Sequence, residues 1–307
     1  MGVSAIRDRI SSSRDHYIWE DLKEGVLTMV ETRSAKIYLG FLLFVLLLGL
    51  FGPYIAPYDA EERLRGEGGE LLRSEPPSLD HPLGTTNNGY DVMSRLLVGA
   101  QPTAAAGLLG GAIIITIGAT IGITAGYVGG WVDNVLMRFT DLVYGIPILI
   151  LAMVLLTFFG MGFWSSVVVI GLILWRGSAR AIRSQVLQIK ERSFVKAARA
   201  TGASTPRIMV KNILPNVAPM AVLFLALGIG GTILIQAGLA FIGVVDPFVP
   251  GWGIMIRNAH QAGLVGSNWW WSLPPSIMLS LTVVCTFMFG REYEKIASGE
   301  QTFAETK

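Results

Sequence analysis

Three groups of residues in this 307-residue chain could do chemistry: its histidines, its carboxylates and one dense run of cations. The histidines, His16, His81 and His260, stand far apart in sequence, and no HExxH or GxSxG motif builds a metal or nucleophile site around any of them. A phosphate-cradling GxxxxGK[ST] loop is absent too. Between Trp175 and Ile213, by contrast, the chain carries nine Arg or Lys and a single acid, Glu191. A segment that basic does not cross lipid, and Lys/Arg-rich loops lie on the cytoplasmic side of a membrane. Its chemistry is recognition by charge and shape.

The centre of that run, FVKAARATGASTPRIMVKNILPN at residues 194–216, reads as helix, stop, helix. Ser193 is placed to cap a first helix, Ala197, Ala198 and Ala200 favour it, and Gly202 stands where a left-handed residue ends it. Ser204 or Thr205 caps a second helix entered at Pro206. Lys196 then falls at the third helical position, where a cation opposes the helix dipole and weakens the first turn by up to about 1 kcal/mol. Paired alanines before a glycine leave little side-chain bulk, so a partner's groove can approach the backbone, while Arg199, Arg207 and Lys211 offer charge to an acidic rim. Two readings stand side by side: a docking elbow, or a basic loop that only satisfies the charge rule.

The elements that must position the elbow are membrane helices. The chain is 52% hydrophobic and 15% charged with a mean hydropathy of +0.54, a composition foreign to soluble domains. Residues 1–36 balance six basic against six acidic side chains, and Ile18, Leu22, Val26, Met29 and Val30 recur near helical spacing. They predict a cytoplasmic amphipathic arm lying on the membrane face. The first span, residues 37–56, is expected to serve as an uncleaved signal anchor. An external loop at 57–101 follows, with eight acids and four bases over residues 56–100. There His81 reads as a turn residue, and Asp91, Ser94 and Arg95 as polar groups closing a helix end.

Residues 102–290 are predicted to hold five further spans, with the cytoplasmic loop at 184–212 and a cytoplasmic tail at 291–307. The second span, about 102–127, is rich in glycine and should be buried among its neighbours. An interfacial helix follows, in which Asp133, Arg138 and Asp141 are expected to pair with one another. The uncharged run from Leu142 to Trp175 is about 51 Å long as helix, too long for one span, and divides at Gly160-Met161-Gly162 into spans at 143–159 and 164–183. Arg176, Arg180 and Arg183 fall on one helical face as the chain leaves for the elbow. The fifth span, 213–245, carries a polar pair one turn apart, Thr232 and Gln236, which either line a solute pathway or bond a neighbouring helix. Trp269, Trp270 and Trp271 read as an aromatic belt at the head of the sixth. Lone Cys285 allows no intrachain disulfide.

These residues carry a resemblance. KAA, then Gly202, then a second helix closing on Ile213-Leu214-Pro215 resembles the cytoplasmic coupling loop, the EAA loop, of the membrane subunits of ATP-binding-cassette importers, with Lys196 where the family usually has Glu. The segments HPLGTTNNGYDVMSRLLVGA at 81–100, GGWVD from Gly129 and PFVPGWG from Pro247 resemble the dipeptide, oligopeptide and nickel branch, with Tyr90 where that branch has Arg. The resemblance covers about residues 37–290. It implies an all-α polytopic protein of six transmembrane helices with the type I importer permease fold and both termini cytoplasmic, in the cell membrane. It implies that Lys196, Ala197, Ala198, Arg199, Gly202, Ser204, Pro206, Arg207, Leu214 and Pro215 meet an ATPase subunit. It further implies a second homologous permease subunit, two ATPases that hold ATP and Mg, an external substrate-binding protein, and a di- or oligopeptide substrate. Relatives of that branch carry nickel or oligosaccharides. No cofactor, catalytic residue, metal or nucleic acid is expected on this chain.

Other classes fare worse. An ion-coupled transporter is expected to bury ionisable residues in its spans, and none falls at membrane depth in those marked here. A channel has no need of a docking elbow. A polytopic scaffold whose elbow binds some unrelated cytoplasmic protein stays open as the alternative.

Overall fold

The computed structural model describes residues 32–297. The amphipathic arm expected before the first span and the end of the tail lie outside these residues. Within them every regular element is helical: α1 Arg33–Ile55, α2 Val92–Val128, α3 Gly130–Tyr144, α4 Ile148–Phe159, α5 Phe163–Ile189, α6 Ser193–Ala200, α7 Thr205–Ile208, α8 Leu214–Ile242, α9 Trp252–Gln261 and α10 Trp269–Ala297. Five helical runs are long and apolar enough to cross a membrane, or six if the bent pair α3 and α4 counts as one. This is the all-α polytopic fold that the uncharged runs predict.

The glycines of α2 explain how the core closes. Added side-chain carbon at Gly107 would meet Ile233 of α8 at 2.8 Å, and at Gly126 it would meet Val186 of α5 at the same distance. The middle of α2, at Gly107 to Gly111, therefore lies against α8 and its C-terminal half, at Gly118 to Gly126, against α5. Close backbone approach is what small residues contribute where lipid supplies no hydrophobic drive between helices. At 37 residues, α2 begins ten residues ahead of the expected span, because Asp91 caps it by accepting from the Ser94 amide.

Two expectations about spans change. The third span starts at Ile148 rather than Val143, since α3 runs to Tyr144 and Pro147, with extended backbone, is the N-cap of the next helix. The resulting α4 has 12 residues, about 18 Å, and turns 95° from α3. The second helix of the elbow does not stop before the fifth span. Thr205 to Ile242 is one continuous helical run, with a π turn at Met209–Ile213 between α7 and α8. Pro215 cannot donate to a carbonyl four residues back, and its ring crowds that carbonyl. The wider turn, where the Leu214 amide reaches the Met209 carbonyl, sits where that conflict arises.

The tryptophan belt is also thinner than expected. Trp269 is 52% exposed, but Trp271 is buried and the Trp270 indole reaches the Thr85 carbonyl at 3.4 Å. Packing against the segment between α1 and α2 has drawn two of the three rings inward.

Candidate functional site

The elbow is α6, its stop and the start of the long helix. Three hydrogen bonds make the stop. The Thr201 amide donates to the Ala197 carbonyl, the Gly202 amide to Arg199 and the Ala203 amide to Ala198, with Gly202 at φ +78°. That is the Schellman arrangement, and it needs a left-handed residue at this position. No atom lies within 4 Å of where a Gly202 side chain would start, so backbone conformation alone selects glycine.

The start differs from expectation. Arg192, not Ser193, is the N-cap, and no side chain caps the helix. Lys196 thus falls at the fourth helical position instead of the third. Its ammonium meets the Glu191 carboxylate at 3.0 Å, with both side chains about two-thirds exposed. The Lys196 hydrogen bond and charge hold Glu191 below the usual carboxylate range.

Two apolar side chains pin the elbow to the bundle. Val195 and Ile208 are buried in a cluster with Ile123 of α2, Val186 and Ile189 of α5 and Val217 of α8. Between them Lys196, Ala197, Arg199, Gly202, Ser204, Pro206 and Arg207 are exposed, while Ala198 and Ala203 are half-buried against the same cluster. Leu214 is 41% exposed and Pro215 half-buried, at the root of α8. Eight of the ten residues expected to contact a partner are thus exposed on one short stretch or at its root, and Ala198 and Pro215 are half-buried.

The sequence reading missed what ties the elbow to α2 and α3. Arg199 donates to the Tyr127 hydroxyl at 3.3 Å and lies over its ring, and the Lys190 ammonium reaches the Gly126 carbonyl at 2.9 Å. Asp133 and Asp141 do not pair with Arg138. Arg183 grips Asp133 through two nitrogens at 2.5 and 2.6 Å, and Arg180 meets Asp141 at 2.6 Å. Arg176 donates to the Val143 carbonyl at 2.7 Å and, like Arg180, lies over the Tyr144 ring. The arginine face of α5 was legible; its partners, some 33 to 50 residues away, were not.

Thr232 and Gln236 are both buried. Thr232 presses on Gly110 of α2, and its hydroxyl has no hydrogen-bond partner among the described residues. On the far side of the membrane His81, Asp91 and Ser94 form a buried cluster. Asp91 accepts from the Ser94 hydroxyl at 2.8 Å and faces the His81 ring nitrogen at 3.1 Å. Serine and histidine both contact the carboxylate rather than each other, so the three do not form a Ser–His–Asp relay. His81 is a turn residue as expected, with the Ser78 and Gly84 amides around it, and it braces the cap of α2 as well. Among the described residues no group of three His, Cys, Asp or Glu is placed to hold a metal ion.

Comparison with known proteins agrees with this architecture. Residues 118–292, more than half of the chain, match the family described as binding-protein-dependent transport system inner membrane component. The chain is 32% identical over 289 residues to the dipeptide transport system permease protein DppC of Bacillus subtilis, covering 94% of this chain and 85% of that one. It is equally identical over 251 residues to the glutathione transport system permease protein GsiD of Escherichia coli, with 81% of each covered. Among solved structures, a chain of the MetNI methionine transporter in an inward-facing conformation superimposes with a TM-score of 0.50 at 20% identity, over 66% of this chain and 97% of that one. Helices, elbow and relatives converge: this chain is a multi-pass membrane protein of the binding-protein-dependent transport system inner membrane component family, a permease subunit of an ATP-binding-cassette importer.

Proposed function

We propose that this subunit carries di- or oligopeptides across the cell membrane by alternating access, driven by ATPase subunits that grip its elbow. The observation that carries the coupling role is the mostly exposed Ala-Ala-Arg-Ala-Thr-Gly turn, held to the bundle through buried Val195 and Ile208, the half-buried Ala198 and Ala203, and the Arg199 bond to Tyr127. A turn so placed, whose second half runs unbroken into α8, can pass a push on the cytoplasmic face to the helix that crosses the membrane. The substrate class follows the relatives, one named for dipeptides and one for glutathione, itself a peptide. The related readings are an importer of the same family for nickel or oligosaccharides and, from another class, a scaffold whose elbow binds a protein unrelated to ATP.

In this reading a second homologous permease subunit completes the pathway, two ATPases bearing ATP and Mg sit under the elbows, and an external binding protein delivers the substrate. The chain itself hydrolyses nothing. Lys196, Ala197, Ala198, Arg199, Gly202, Ser204, Pro206, Arg207, Leu214 and Pro215 form the coupling surface, and the Lys196 cation faces an acidic residue of the ATPase.

Thr232 and Gln236 are the candidates for lining the pathway. The Thr232 hydroxyl, buried and unpartnered, favours that role, while its seat against Gly110 favours simple packing.

Reconstitution with the co-expressed neighbouring subunits tests the function. Peptide uptake should require ATP, and it should vanish without the ATPases while the subunit stays inserted. Uptake by the lone chain defeats the proposal. Thr232→Val with Gln236→Leu should change the uptake KM; unchanged kinetics make the pair packing residues.

A further inference from the structure

Helix α1 packs on the bundle through Gly52, set against the Leu97 backbone of α2, through the buried Val45, and through two further contacts that bracket a cavity. Gly49 lies against the α2 backbone near Gln101, and Ala35 packs with Tyr293 of α10 beside Val222 and Phe289. Between them a cavity of about 210 Å³ separates α1 from α8, walled by Leu39 and Leu43 of α1, Leu108 of α2, Leu225 and Ile229 of α8 and Phe289 of α10. Its two hydroxyls are already committed: Thr282 donates to the Met278 carbonyl at 2.7 Å and Thr286 to the Thr282 carbonyl at 2.6 Å. The walls offer no free donor to water or to a peptide, and an apolar cavity of this kind stays dry. A hydrocarbon chain is the occupant that satisfies them.

The charge at one end says which lipid. The cavity begins on the elbow side, since Val222 on its wall is only eight residues, about 12 Å, into α8. Lys36 precedes Leu39 and Leu43 at the spacing i, i+3, i+7, so it continues the groove-lining stripe of α1 toward that surface. Lys36 and Arg33 are exposed, and among the described residues neither side chain has a hydrogen bond or ion pair. Cations at the membrane surface attract anionic headgroups, and a lysine can lay its stem along the apolar wall while its ammonium stays in the interface. From Lys36 to Leu46 the stripe runs about 15 Å, the reach of most of an acyl chain.

We propose that this subunit holds one anionic phospholipid, its acyl chain in the groove between α1 and α8 and its phosphate over Lys36 and Arg33. The proposal does not depend on the transport reading. It is tested on the assembled transporter in nanodiscs of mixed phosphatidylcholine and phosphatidylglycerol, using probes of each headgroup with a diazirine in the acyl chain and mapping the adducts by mass spectrometry. The expected result is adducts concentrated on residues 39–46 and 222–233, several-fold more from phosphatidylglycerol than from phosphatidylcholine. Arg33→Glu with Lys36→Glu should bring the two probes level. Leu43→Trp, at a half-exposed position, should remove the groove adducts and leave those on the outward face of α4 at Val154. Equal labelling by the two probes in the unaltered protein overturns the proposal. So do groove adducts that persist in Leu43→Trp, or cross-links showing that residues 1–31 or the second permease subunit fill the groove.

Discussion

Two connections of this subunit, one on each side of the membrane, are built on opposite plans. The one away from the elbow, residues 56–91, has no helix of its own yet is dense with bonds. The Leu64 amide reaches the Gly89 carbonyl, the Ser74 amide the Thr86 carbonyl and the Thr85 amide the Glu75 carbonyl, and the Thr85 hydroxyl bridges Leu72 and Glu75. The lobe is then fastened to α2 through Arg95, which donates to the Ala60 carbonyl at 2.9 Å and lies 3.9 Å over the Tyr90 ring. The Tyr58 amide adds a bond to Ser94. The elbow has short helices but almost no polar lock on its outward face. A segment that satisfies its own polar groups is finished as it stands, whereas one that leaves backbone and small side chains open is completed by whatever docks there.

The largest test of this contrast is Asp91→Ala. The buried carboxylate accepts from the Ser94 amide and hydroxyl and faces His81, so its loss should cost about 3 kcal/mol and open the lobe at residues 56–91. Hydrogen exchange and limited proteolysis of residues 56–91 read this directly, and a lobe as protected as before would break the contrast. Gly202→Val comes next. A β-branched residue at φ +78° should cost about 1–2 kcal/mol and uncouple ATP hydrolysis from uptake without affecting membrane insertion, while Gly202→Asn should keep most of the coupling. Coupled transport by the valine variant would remove the elbow's special status.

Asp133→Ala should cost about 1 kcal/mol by releasing Arg183, and a cysteine at position 134 should become more reactive as α3 loosens. Unchanged reactivity would mean that the ties of Arg176 and Arg180 suffice. The smallest effect concerns the Glu191–Lys196 contact. Because Glu191 sits below its ordinary value in the folded protein, the contact is fully present above the usual carboxylate range and is lost as pH falls through that lowered value. Elbow association with an ATPase should therefore hardly change between neutral and mildly acidic pH. A change centred near neutrality would point to another group.

Much of this architecture was legible without coordinates because the bilayer is a strict solvent. Uncharged runs of twenty residues mark helices, and clustered cations mark the side they face. Gly202 was legible for a similar reason, since chain ends need left-handed residues in a local pattern. Pairings across distance were not. Nothing near Asp133 in sequence indicates that Arg183 rather than Arg138 will reach it, and the assignment of Ser193 as cap missed by one residue because Arg192 takes the extended conformation.

The order of residues by itself determined the number of apolar runs, the basic side and the place of the elbow, since each follows from local composition read against a fixed solvent. Only the folded chain decided which arginine holds which carboxylate, that α4 stops at 12 residues, and that the elbow runs into α8 through a π turn. Those outcomes depend on which helices lie side by side. Packing of glycine faces sets that, and no window of sequence contains it.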